Sequence, residues 1–123
     1  MKQTNHQTFI TWIEAQIEAH RSACQQLIND DRGDEAVFEK VRMNICDIFK
    51  TVMNAGLKAV GEDEKALGAF FRGRIEQIPG SWRTSLQNAL RSGDTEKAHL
   101  EQIKLETAGE IEKVFVQIWE ENT

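Results

Sequence analysis

The chain predicts an all-α fold: a single-domain bundle of about five helices, three long and two shorter, mostly antiparallel, with the helix over residues 35–60 at its centre. Three observations predict it. Apolar side chains recur at three- and four-residue steps through most of the chain. Clusters of glycine, proline and acidic residues interrupt that rhythm at a few places. One proline, no tyrosine and few β-branched runs oppose a β fold.

A first helix is expected over residues 8–30. Ile10, Ile13, Ile17, His20, Cys24 and Leu27 form its heptad seam, and Trp12 projects well away from them. Asn29, Asp30, Asp31, Arg32 and Gly33 end it, with Gly33 as the stop and Asp34 as the N-cap of the next helix. A connection this short joins antiparallel neighbours.

Residues 35–60 are the most apolar stretch. Phe38, Val41, Ile45, Ile48, Val52 and Ala55 share one seam; Cys46, Phe49, Met53, Leu57 and Val60 form a second row beside it. Together they cover roughly 200° of the helix, where one core-facing stripe needs ~100°. A helix this apolar must meet at least two neighbours, which places it centrally. Ile48 is thereby expected in the core and Lys50 on the solvent face.

Glu62, Asp63 and Glu64 place carboxylates at the positive end of a third helix. Leu67, Phe70, Phe71, Ile75 and Ile78 form its stripe, and Gly68 and Gly73 either admit a close neighbour or mark a bend. Ile78, Pro79, Gly80 and Ser81 make the strongest break in the chain, with Ser81 as N-cap of a short fourth helix. Leu86, Ala89 and Leu90 are its apolar side. Gly93 and Asp94 separate it from a fifth helix over residues 95–120. There Leu100, Ile103, Thr107, Ile111, Val114 and Ile118 form one row, flanked by Ala108, Phe115 and Trp119, with Lys104 inside the face. With no long linker and no repeat, residues 1–123 read as one helical domain.

The 123 residues suffice for a core without a metal or disulfide. A net charge of −5 opposes wholesale nucleic-acid binding but leaves room for a local basic patch. No stretch approaches the ~18–20 apolar residues of a membrane span. The polar N-terminus lacks the apolar core of a secretory signal, and two distant cysteines are no disulfide framework. A cytoplasmic setting is the expectation.

Few residues invite chemistry. His20, Cys24 and Cys46 have no fourth ligand at metal spacing and read as packed core groups. Glu96 and His99 have the Glu-x-x-His spacing of di-metal bundles but no second copy, so they read as surface. Neither a metal nor a cofactor is expected. Phosphate loops and nucleophile elbows are missing from the sequence, and an enzyme is the less favoured reading.

Charge is the most useful hint. Arg72, Arg74, Arg83 and Arg91 face a single acid, Glu76, between residues 66 and 93, and Phe70, Phe71 and Trp82 interleave with them. Ion pairing with Glu101, Glu106 or Glu112 of the last helix is the favoured fate of these arginines; anion binding is the other. Lys104 either pairs with Glu101, snorkels, or serves a pocket with Phe70, Phe71 and Trp82. The leading expectation is a non-catalytic interaction module that self-associates, as a homodimer, or docks a helical protein partner. Trp12, Trp119 and the second row of the central helix are its spare apolar surface. Binding of an anionic ligand or nucleic acid, or of a small molecule between helices, are the alternatives.

Overall fold

A computed structural model describes residues 3–121; Met1, Lys2, Asn122 and Thr123, including the start of the polar N-terminal stretch, lie outside the described residues. Five helices follow one another: α1 (Asn5–Asn29), α2 (Gly33–Val60), α3 (Glu64–Gln77), α4 (Gly80–Ser92) and α5 (Thr95–Glu121).

Helix α1 starts three residues earlier than the seam predicts. Thr4 caps it: its hydroxyl accepts from the Gln7 N–H at 3.2 Å, and the Gln7 side chain accepts from the Thr4 N–H at 3.0 Å. This reciprocal box satisfies two donors that helix ends leave open. The turn into α2 differs from expectation. Asp31, not Gly33, takes the left-handed conformation, at φ 60°. Aspartate tolerates that region. Gly33 then opens α2, Arg32 is its N-cap, and Asp34 falls in the first turn.

The Pro79 break is milder than the sequence predicts. Ile78 and Pro79 both keep right-handed helical backbone, and the Ile78 N–H still reaches the Arg74 carbonyl at 2.8 Å. Proline fixes φ at a helical value and removes one donor, so it bends a helix as readily as it ends one. Pro79, not Ser81, is the N-cap of α4, and no side chain bonds there. Helices α3 and α4 are therefore two parts of one bent arm. Gly93, left-handed at φ 74°, stops α4.

The bundle runs up, down, up, down. Helix α1 lies antiparallel to α2: Glu14 meets Lys50 and His20 meets Glu39. Phe71 of α3 meets both Phe49 of α2 and Phe115 of α5, and Gly68 meets Trp119, so α3 opposes both. Helix α2 packs on α1, α3 and α5, the central position that its wide apolar arc requires. Ring packing ties the helices together. Phe71 stands 5.0 Å from Phe9, 6.1 Å from Phe49 and 4.6 Å from Phe115, and Trp82 of α4 is edge-on to Phe49 at 6.4 Å. Distances of this order are the favoured tilted and edge-to-face geometries.

The buried face of α2 is rotated from the predicted seam. Ile45, Cys46, Phe49, Met53 and Gly56 are buried, while Ile48 is 37% exposed and Ala55 is exposed. Lys50, expected in solvent, is half-buried and reaches Glu14 at 3.2 Å. In α5 the expected row holds through Ile103, Thr107 and Ile111, and only the last turns rotate: Phe115 and Trp119 are buried and Val114 and Ile118 only half so. Large rings take the space between several helices, and Ile48, Val52, Val114 and Ile118 are left at its edge. On α1 the wholly buried Phe9, absent from the predicted seam, does the same.

Candidate functional site

The structure separates the residues that the sequence groups together. Arg72, Arg74, Arg83 and Arg91 are all exposed. Among the described residues none of them lies within ion-pair distance of a carboxylate, so the expected pairing with Glu101, Glu106 or Glu112 does not occur. They also diverge. The Arg72 guanidinium lies over the Phe115 ring at 5.6 Å, on the α5 side; that of Arg74 lies over Phe70 at 4.9 Å. Phe70 abuts Gly56 of α2, and two positions along a helix are roughly 160° apart around its axis. Arg83 joins Ile75, Pro79 and Glu112 around a cleft of about 330 Å³ under the bend. Arg72, Arg74 and Arg83 thus serve three directions, and no single patch gathers them.

Phe70, Phe71, Trp82 and Lys104 do not form the expected pocket. Phe71 is wholly buried among other rings, and Trp82 stands against Phe49. Packed side chains occupy the place where a ligand would sit. Lys104 instead donates to Glu101 at 3.0 Å. Glu101 is buried, and its other oxygen has no partner. Thr107 is buried with its hydroxyl on the Ile103 carbonyl at 2.8 Å.

The spare aromatic surface is not spare. Trp119 is buried, and its indole N–H donates to the Glu64 carbonyl at 2.8 Å. Trp12 is half-buried, 6.2 Å from Phe9, although it was expected to point away from the seam. Of the second row of α2, Cys46, Phe49 and Met53 supply the core, Leu57 is half-buried and Val60 is exposed. What α2 leaves at the surface is another row: Val37, Val41, Ile48, Val52, Ala55 and Ala59. At 100° per residue these fall within about 60° of one another. Val37 is 42% exposed, Val41 and Val52 are half-buried, and both alanines are exposed.

The remaining polar residues are structural. His20 meets Glu39 at 2.6 Å, and Arg42 holds the other Glu39 oxygen at 2.9 Å, tying α1 to α2. Cys24 and Cys46 are buried free thiols. Burial, with the Glu110 carboxylate second, pushes the Cys46 thiol up to about 11. His99 is exposed, its ring 4.7 Å from Phe38. Among the described residues no three His, Cys, Asp or Glu side chains gather as metal ligands, and no helix is long and apolar enough to cross a membrane.

One groove unites an arginine and an aromatic from the sequence candidates. It has a volume of about 530 Å³ and lies between the start of α1, the start of α3 and the end of α5. Asn5, Glu64, Gly68, Ala69, Arg72 and Trp119 bound it, with Lys65 and Glu120 at the rim. Gly68 makes it: a Cβ there would stand 2.5 Å from the Trp119 indole nitrogen. Asn5 and Glu64 carry no sequence signal, since polar residues at helix starts are ordinary capping groups. No known family, curated protein or solved structure matches this chain.

Proposed function

We propose that the protein is a non-catalytic interaction module that pairs with a second copy of itself along the outer edge of α2. The supporting observation is the row Val37, Val41, Ile48, Val52, Ala55 and Ala59, apolar and partly open to solvent. Singly scattered apolar residues need no explanation, but a row at helical spacing, interrupted by Asn44 alone, does. All of the row but Val52, which would face Asn44, is also symmetric. A two-fold axis through Ile48 sets Val37 of one copy beside Ala59 of the other, and Val41 beside Ala55. Large against small at these two steps is the interdigitation that helix pairs use. A closed dimer is the simplest assembly of identical chains.

A reducing cytoplasm suits two buried thiols, and the reading needs no cofactor. A helix of another protein is the second occupant that such a row accepts. Sedimentation equilibrium from micromolar to millimolar concentration tests self-association. A dimer for the native chain and a monomer for Ile48→Glu is the expected result. A native chain that stays monomeric throughout removes it. The exposed, unpaired arginines support a weaker second reading, salt-sensitive attraction for polyanions. Their divergence weighs against a specific nucleic-acid site.

A further inference from the structure

We infer that the groove between α1, α3 and α5 binds a small zwitterion with an apolar middle, in the size class of a hydrophobic tripeptide.

One buried polar atom in its wall lacks a partner, and one side-chain amide of the wall is uncommitted. Asn5 is only 8% exposed, yet its side-chain amide makes no hydrogen bond with any described residue. Glu64 has its Oε2 atom buried and unpartnered. The neighbouring donors are already committed. The Asn5 N–H reaches Glu64 Oε1 at 3.3 Å, and His6 Nδ1 lies 3.6 Å from that same oxygen. The Trp119 N–H is held by the Glu64 backbone carbonyl. Buried polar atoms are nearly always satisfied, and an ionised carboxylate only accepts. Glu64 Oε2 is thus left free to accept from a donor in the groove, and Asn5 lines the same wall.

The middle of the groove is apolar: the Trp119 ring, Gly68 and Ala69. Its far end is cationic. Arg72 has no carboxylate within ion-pair distance among the described residues, and its planar fork suits a carboxylate bound through two nitrogens. Arg72 follows Glu64 by eight positions, about 12 Å along a helix at 1.5 Å per residue. An extended tripeptide reaches about 10 Å. Its ammonium meets Glu64 and Asn5, its side chains cover Trp119 and Ala69, and its carboxylate meets Arg72. The groove volume of about 530 Å³ lies in the range of small-molecule sites. None of these residues belongs to the α2 edge, so the two proposals stand or fall separately.

Calorimetric titration tests this with trileucine, its C-terminal amide, its N-acetyl form and triglycine. Trileucine should bind, and capping either end should weaken it by about tenfold or more. Triglycine, lacking the apolar middle, should be weaker than trileucine. Arg72→Gln should erase the preference for the free carboxylate and keep the preference for the free ammonium; Glu64→Gln should do the reverse. Because the capped peptides are compared on the native chain, the result does not hang on either variant folding. Trileucine that fails to bind at millimolar concentration overturns the inference. So does equal binding of free and capped peptides, or a carboxylate preference that survives in a folded Arg72→Gln chain.

Discussion

Gly68 and Gly73 sit five positions apart on α3 and have opposite environments. A Cβ at Gly68 would collide with the Trp119 indole, whereas nothing lies within 4 Å of one at Gly73. Gly68→Ala should therefore cost about 1–3 kcal/mol, the usual penalty for overpacking. Gly73→Ala should stabilise by up to ~1 kcal/mol through helix propensity. Urea melts of the two variants check both signs. Cys46 supplies a pH dependence. Its thiol ordinarily ionises near 9.0 and is held protonated to about 11 in the fold. Between those values the unfolded chain binds fewer protons, so stability falls as pH rises, by roughly 1.4 kcal/mol per pH unit, and the loss ends above the folded value. Cys46→Ala should lack this component when melts are compared from pH 8 upward. The native thiol should also resist alkylation until the chain unfolds.

At the scale of the element, the phase of a helix decides which neighbour of a pair is structural. Ile48 and Phe49 are adjacent, and the heptad seam favours Ile48. In the fold Phe49 is wholly buried and Ile48 is 37% exposed. Phe49→Ala should cost about 3–5 kcal/mol, and Ile48→Ala about 1 kcal/mol or less at low protein concentration. Equal losses in denaturant melts would contradict the rotation of α2. Helix positions and most connections were legible in the sequence because they depend on local spacing; of the caps, the Gly93 stop was legible, while Thr4, Arg32 and Pro79 were not. The phase was not. The apolar arc of α2 is wide enough to accommodate several rotations, and packing of Phe9, Phe49, Phe71 and Phe115 on one another selects among them. Pro79 shows the same limit: a proline reads as an end, and only its neighbours make it a bend.

For the whole molecule, self-association has a thermodynamic signature besides mass. A dimer stabilises the folded chain by mass action, so the melting temperature of the native protein should rise with concentration. That of Ile48→Glu should not. Scanning calorimetry over a hundredfold range, or about that, separates the two. The candidate sites were only partly legible. Arg72 stands out in the sequence as a cation among aromatics and Trp119 as spare apolar surface, yet their meeting depends on α5 returning alongside α3. Asn5 joins them from almost the opposite end of the chain.

The sequence by itself determined the helices, their number and the central place of α2, because hydrophobic rhythm and end signals act over a few residues. Tertiary structure alone decided the bend at Pro79, the outward turn of Ile48, the burial of Trp119 and the groove beneath Arg72. Each of these depends on which side chain fills the space between helices, and that choice is settled by volume and contact across the whole bundle.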